Sequence, residues 1–480
     1  MAFQTFSYFT FLALMTAAYF VLPHRWRWAL LLCGSYYFYM CWNTSYALLM
    51  LFSTAVTYAC GLLVGSARSA KAKKGWVALS LLLNLSILFF FKYYGLFAGT
   101  LQSVLGGSVR LPQLTVLLPV GISFYIFQAL GYTIDVYRGD IQPVRHFGKY
   151  ALFVSFFPQL VAGPIERSGN LIRQFDEVHK PDFAQMREGA VQILLGLVKK
   201  LVVSDHLAIL VDKVYSDAGA YGAPAVIVAT VCFAFQIYCD FSGYSDIAIG
   251  SARLLGFRLM KNFDRPYFAR SIGEFWRRWH ISLSSWFRDY LYFPLGGSRV
   301  KTGRWVFNLM TVFLVSGLWH GASWTFVAWG ALNGLYQVVG RFTKGARDGA
   351  YRALRINPEG NLRAVIATGC TFALTVFAWL FFRADSFQQL AVLLRSLVYG
   401  WEFESLFKLI YLVNGTECLL MALAVGGLLL AEWLGRKGDA MQRFMAAKWP
   451  LRWAACLALL FVLILFGKYN ESPAFIYFQF

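Results

Sequence analysis

Charge is scarce in this chain. Only 14% of its 480 residues are charged, while 58% are hydrophobic and 18% aromatic. Soluble domains average about a quarter charged and about half apolar. A soluble fold this apolar would expose large sticky patches, so a soluble enzyme is all but excluded, as is a disordered or fibrous protein. Acid is scarcer still: 24 Asp and Glu stand against 44 Lys and Arg, a net charge of +20. On a soluble protein that excess would indicate nucleic acid. Here most basic residues fall in the breaks between apolar runs. They read as cytoplasmic loop charge facing anionic membrane lipid, with a minority left to attract an anionic substrate, and no nucleic-acid partner is expected. The eight cysteines show no repeated spacing. Most sit in apolar stretches, as Cys33, Cys60, Cys370 and Cys456 do, which argues for small buried hydrophobes rather than a disulfide frame or metal site. The chain lacks Gly-x-x-x-x-Gly-Lys-[Ser/Thr], so ATP drive through a phosphate loop is not supported. It also lacks His-Glu-x-x-His and Gly-x-Ser-x-Gly, which removes zinc-protease and serine-elbow chemistry.

What is present is apolar length. Mean hydropathy is +0.54. A helix of about 20 apolar residues crosses a bilayer. The clearest candidate runs are 5–22, 28–50, 76–98, 114–134, 364–382, 410–434 and 453–467, with 51–65 continuing the second or forming a short span of its own. Basic residues follow the first run rather than precede it, and no small-residue cleavage site stands out, so this run is expected to stay in the mature protein. The charged breaks set sidedness. Residues 66–75 hold Arg68, Lys71, Lys73 and Lys74 and no acid; 341–363 hold six basic residues against Asp348 and Glu359; 435–452 hold Arg436, Lys437, Arg443, Lys448 and Arg452 against Asp439. All three should be cytoplasmic. The break 99–113, with Arg110 alone, and the balanced segment 384–409 should lie outside. The last span then starts inside, and the tail 468–480 ends outside.

The centre, 150–340, differs. Its apolar runs are short and interrupted by Pro158, Pro164, Pro224, Pro266 and Pro294, and they carry Asp240, Asp246, Arg253, Glu274, Arg277, Arg278, Arg288 and Asp289. Charge at that density cannot face lipid, and irregular backbone at membrane depth is tolerated only when buried in protein or lining a cavity. The centre is therefore expected to hold the site, on half-helices and re-entrant loops, between N-terminal spans in 1–149 and C-terminal spans in 341–467. No internal repeat of the kind that marks many transporters is visible.

Of the six histidines, His24, His146, His179 and His206 lie near polar or charged segments and read as interfacial or structural. His280 lies in FWRRWHISLSSWFRDY, residues 275–290. Helical spacing would place Trp276, His280, Ser284 and Phe287 on one face. Arg277, Arg278, Arg288 and Asp289 then leave that helix no lipid-compatible side. His320 lies in Ser316-Gly317-Leu318-Trp319-His320-Gly321, inside the apolar stretch 306–335. A lone intramembrane histidine is a functional candidate by default; the alternative is a ring bonded to a neighbouring carbonyl.

Segment 275–297, together with Gly317-Leu318-Trp319-His320-Gly321, resembles the membrane-bound O-acyltransferase family, in the branch containing the alginate O-acetyltransferase membrane subunit. Leu118–Tyr125 (LPVGISFY), Phe157–Ile165 (FPQLVAGPI) and Asp240–Gly250 (DFSGYSDIAIG) match as well, in the expected order. The resemblance covers most of the chain. It implies an all-α, polytopic integral membrane protein, a single domain over 1–480, with about 11 transmembrane helices plus re-entrant or amphipathic helices around a central funnel or tunnel. It implies transfer of an acyl group from a cytoplasmic thioester to a hydroxyl, with acetyl-CoA as donor substrate, no bound cofactor and no metal. Carried over by motif, His320 is the intramembrane catalytic base and His280 its polar partner. The physics is compatible. A hydroxyl is a poor nucleophile until a base takes its proton, and a buried imidazole stays neutral enough to do so. His280 would orient donor or acceptor, or polarise the thioester carbonyl.

The phosphates of acetyl-CoA are strongly anionic, so Arg277, Arg278 and Arg288 are candidates at the cytoplasmic mouth; ion pairs with Glu274 or Asp289 are an equal reading. Ser284 and Asp289, close in sequence to these arginines, and Trp319, next to His320, join the candidate substrate-binding set. Asp240 and Asp246 would shape the cavity or, the favoured reading, pair with arginines such as Arg253.

Five of the six residues in Phe475–Phe480 are apolar or aromatic. Alone they read as an interfacial aromatic belt. In the family branch, similar aromatic endings carry a tyrosine, and a related ending on the small partner of the teichoic-acid D-alanylation member looks like an acyl carrier. Carried over, Tyr477 receives acetyl near His320 and hands it to an extracytoplasmic partner; a phenol with its ordinary pKa near 10 needs the base nearby. Outer-face esterification then needs a separate serine-esterase-like partner. The expected protein is the multi-pass subunit, in a bacterial-type inner membrane, of a system that O-acetylates an extracellular or cell-wall polysaccharide, alginate-like or peptidoglycan. The alternatives are a family member transferring another acyl group (D-alanyl, lipid or protein substrate) and a solute transporter.

Overall fold

The computed structural model describes residues 1–106, 111–112, 117–161, 163–438, 440–469 and 475–476, and no strand occurs among them. Among the described residues, six helices are long and apolar enough to cross a bilayer: Thr44–Ser66, Ala70–Val104, Ala223–Leu254, Asn361–Arg383, Gly415–Leu434 and Trp449–Phe466. The architecture is that of an all-α, multi-pass membrane protein.

Local chemistry cuts several apolar runs where hydropathy alone does not. The run 28–50 is two helices, His24–Met40 and Thr44–Ser66. Between them Asn43 adopts extended backbone and its side chain accepts from the Ser45 N–H, a capping bond that starts the second helix and draws 51–65 into it. The run 410–434 divides at Asn414, where φ is 80°, into Glu404–Val413 and Gly415–Leu434. In the run 114–134, residues 117–121 are not helical and a helix begins at Ile122. Gly121 precedes it at φ 70°, and a Cβ there would stand 2.7 Å from the Leu160 carbonyl oxygen.

The chain forms two compact units, Met1–Leu194 with Tyr244–Lys261, and Leu195–Gly243 with Asn262–Phe480. In the first, the apolar helices are tied by buried hydroxyl bonds, which are satisfied within the protein because lipid offers no partners. Ser53 donates to Asn84 at 2.5 Å and Tyr150 to Thr57 at 2.7 Å. Tyr8 donates to Ser251 at 2.8 Å and Tyr244 to Gln4 at 2.7 Å, which fastens the 244–261 segment to the N-terminal helix region.

In the second unit, Thr302–His320 and Trp324–Phe342 form a tight helical hairpin. A Cβ on Gly317 would lie 2.3 Å from the Phe326 carbonyl oxygen, and one on Gly330 2.3 Å from that of Phe313. Small residues of this kind let helix backbones touch in a membrane.

The centre departs from the expected broken pattern where helix runs unbroken, through residues 183–216 and again just beyond them. Ala223–Leu254 is a single helix of 32 residues that includes Pro224, Asp240 and Asp246. Pro224 sits in its first turn, where a missing N–H costs no helical bond. Elsewhere the centre is broken as expected, into Phe147–Ser155, Phe157–Leu160, Ser168–Gln174, Ile272–Arg278 and Ile281–Phe287 among others. The cysteines also need correction. All eight are free, but Cys33 and Cys370 are exposed and Cys456 half-buried, while Cys60 is buried. An outward cysteine on a lipid-facing helix is as apolar as a buried one.

Candidate active site

The helix expected across 275–290 is broken at its histidine. Ile272–Arg278 ends, Trp279 is extended, and His280 takes φ 44° and ψ 54°. Helix resumes at Ile281, with the His280 carbonyl accepting from the Ser284 N–H at 2.9 Å. A non-glycine residue in this left-handed region costs about 1–3 kcal/mol and persists only where its surroundings hold it. Three bonds hold it here. The Asp264 N–H donates to the Arg278 carbonyl and the Ile281 N–H to the Asn262 carbonyl, both at 2.9 Å. The Ser282 hydroxyl donates to the buried Asn262 side-chain oxygen at 3.0 Å. Trp276, His280, Ser284 and Phe287 therefore do not form the single helical face that spacing predicts. The Ser284 hydroxyl is turned to backbone, donating to the Trp279 carbonyl at 3.2 Å.

His320 is the last residue of Thr302–His320, and extended Gly321 ends the helix. A Cβ on Gly321 would stand 2.2 Å from the Phe326 ring. A side chain at position 321 would have to push that buried ring aside. The two imidazoles meet: His280 is 1% exposed, His320 is 2% exposed, and their ring centroids are 6.4 Å apart. Trp319 lies 5.6 Å from His280 and 5.0 Å from His320. Trp329 stands 5.0 Å and Phe382 5.4 Å from His320, and Phe241 stands 4.6 Å from His280. Behind these, Trp379 packs on Trp279 at 5.0 Å and Trp329 at 5.9 Å. The result is an aromatic box around a buried pair of imidazoles, a setting that excludes bulk water.

The other candidates are distributed differently. Arg278 pairs with Glu274 at 2.6 Å, and Arg288 with Asp289 at 2.8 Å, so the ion-pair reading holds for both. Arg277 is exposed. The favoured pairing of Asp240 and Asp246 with Arg253 is not formed. Arg253 pairs with Glu188 at 3.4 Å, and Asp246 accepts from Gln192 at 3.0 Å. Asp240 instead pairs with Lys200, which also pairs with Asp205, each at 2.8 Å with all three side chains buried. Lys200 and Asp205 were not singled out from the sequence. They meet because Val198–Ser204 is a π-helical turn, which bonds residues five apart, here the Asp205 N–H to the Lys200 carbonyl. The lysine pair Lys199-Lys200 inside the apolar run 194–203 was the available signal. Phe475 and Ile476 are buried rather than interfacial: the Ile476 N–H donates to the Asp240 carboxylate at 2.7 Å, and the Phe475 ring lies 5.6 Å from Phe241. Tyr477 lies outside the described residues.

Comparison with known proteins gives this box its family. The family described as "MBOAT, membrane-bound O-acyltransferase family" matches residues 137–379, a stretch that contains both histidines. The chain is a membrane-bound O-acyltransferase. A relative named "Probable alginate O-acetylase AlgI" from Azotobacter vinelandii is 40% identical over 383 residues, 79% of this chain and 74% of the relative. "Peptidoglycan O-acetyltransferase" of Helicobacter pylori is 33% identical over 425 residues, 81% of this chain and 78% of the relative. "Teichoic acid D-alanyltransferase" of Streptococcus thermophilus is 30% identical over 238 residues, 46% of this chain and 56% of the relative. Within the O-acyltransferases, the chain thus falls in the branch of the alginate O-acetylases.

Proposed function

We propose that this O-acyltransferase passes acetyl from cytoplasmic acetyl-CoA across a bacterial-type inner membrane for O-acetylation of an extracellular or cell-wall polysaccharide, alginate-like or peptidoglycan. The buried His280–His320 pair in its aromatic box carries the reading. His320 takes the proton of an acceptor hydroxyl, and the freed oxygen attacks the thioester carbonyl. His280 donates a hydrogen bond to the oxygen on which charge develops. The carbon–sulfur bond breaks, and the departing thiolate takes the proton back from His320. Trp319, whose ring neighbours both imidazoles, lines the path of the acyl group. Arg277 is the exposed cation offered to the donor's phosphates, while Arg278 and Arg288 are held in ion pairs.

The acceptor hydroxyl in this reading is the phenol of Tyr477, two residues beyond buried Phe475. On the outer face the tail hands acetyl to a serine-esterase-like partner, which delivers it to the sugar. Acetyl is favoured over D-alanyl because the D-alanyltransferase match spans 46% of the chain, against 79% for the alginate O-acetylase. The test is His320→Ala in membranes given radiolabelled acetyl-CoA. Loss of a general base lowers transfer by about 10²–10⁴-fold. Full transfer at normal protein abundance would overturn the reading.

A further inference from the structure

We infer that the buried Lys200–Asp205–Asp240 cluster is the dock that registers the C-terminal segment beside the histidine pair, with Asp240 as a positioning residue for acyl transfer. The inference rests on the transfer reading above and adds a role to residues outside the aromatic box.

Lys200 Nζ lies 2.8 Å from each aspartate, and the three side chains are 1–3% exposed. One cation against two carboxylates leaves the cluster with a formal excess of negative charge. A buried carboxylate needs hydrogen-bond donors beyond its ion pair. The backbone supplies one: Asp240 Oδ2 accepts the Ile476 N–H at 2.7 Å. The next residue on the same helix, Phe241, faces both ways. Its ring lies 5.6 Å from Phe475 and 4.6 Å from His280. The carboxylate thus fixes the tail along its length, while the neighbouring ring fixes its side and connects it to the histidine.

The near end of the tail is tied to the same strip. The Lys468 N–H donates to the Leu201 carbonyl at 3.2 Å. His206 contacts the Phe466 carbonyl through Nε2 and Glu417 through Nδ1, both at 2.7 Å. Residues 200–206 and 240–241 therefore meet the segment before and after the stretch 470–474. In chain order Tyr477 follows directly on the docked pair, so the register set at Ile476 governs the residue on which the relay depends.

The dock is separable from the fold. Replacing Asp240 leaves Lys200 paired with Asp205, a neutral buried pair. Asp240→Ala removes the acceptor, Asp240→Asn keeps an amide oxygen in its place, and Ile476→Pro removes the donor and sets its ring against the carboxylate. In acetyl transfer, Asp240→Ala and Ile476→Pro should each lower kcat about tenfold or more, with KM for acetyl-CoA unchanged. The double variant should be no worse than either single one, and Asp240→Asn should retain most of the activity. Independently of activity, a thiol probe at Ile476→Cys should react with maleimide about tenfold faster in the Asp240→Ala background, after subtraction of the native cysteines. Unchanged protection of that thiol, or full additivity of Asp240→Ala with Ile476→Pro, would overturn the dock. A His320→Ala protein that kept full transfer would overturn the catalytic reading while leaving the labelling result intact, so the two failures are distinguishable.

Discussion

His280 is aimed by its backbone. A φ of 44° turns the ring out of the helical path and into the space next to His320, and bonds to Asn262 and Arg278 keep it there. The strain predicts an unusual stability series. Replacing a residue at positive φ by glycine relieves backbone strain that alanine retains, a difference of about 1 kcal/mol. His280→Gly should therefore unfold at a higher temperature than His280→Ala in detergent, while both lose transfer. Equal midpoints would mean that the loop relaxes when the ring is gone. The sequence made both histidines visible, through an unusual residue in an apolar run and through motif resemblance. It did not show how His280 is presented, because helical periodicity assumes the very backbone that this residue breaks. Lys200 was missed for a related reason: a π-turn shifts the spacing that a 3.6-residue pattern takes for granted.

At the scale of elements, the hairpin of Thr302–His320 and Trp324–Phe342 sets where His320 stands. Its closeness depends on Gly317 and Gly330, each facing a carbonyl oxygen of the other helix. Gly317→Ala would put a methyl 2.3 Å from the Phe326 oxygen, so the helices must separate. Overpacking of this kind costs about 1–3 kcal/mol. The expected outcome is a lower thermal midpoint together with weaker transfer, since His320 lies three residues further along the same helix. Unaltered stability would show that the hairpin can yield. Among the spans, Asn361–Arg383 and Trp449–Phe466 were legible from apolar length alone. Ala223–Leu254 was not, because Asp240 and Asp246 made it look interrupted. Those charges are answered inside the protein, by Lys200 and Gln192, which a linear reading of charge cannot see.

At the scale of the molecule, sidedness follows from where the basic breaks fall. We propose that 66–75, 341–363 and 435–452 are cytoplasmic, which would put the tail on the outer side. A reporter fused after Phe480 should be active only in its extracytoplasmic form, and a cytoplasmic signal would reverse the proposed direction of transfer.

The bond between Asp240 and Ile476 joins positions 236 residues apart. Closing so long a loop carries an entropic penalty that must be met before the contact can reward it, so contacts of this kind form late. On the dock inferred above, a chain interrupted before residue 475 would still carry Lys200 and Asp205 but would lack the Ile476 amide that Asp240 accepts. Insertion and competence would then be separate events, the second waiting for the far end of the polypeptide to come back.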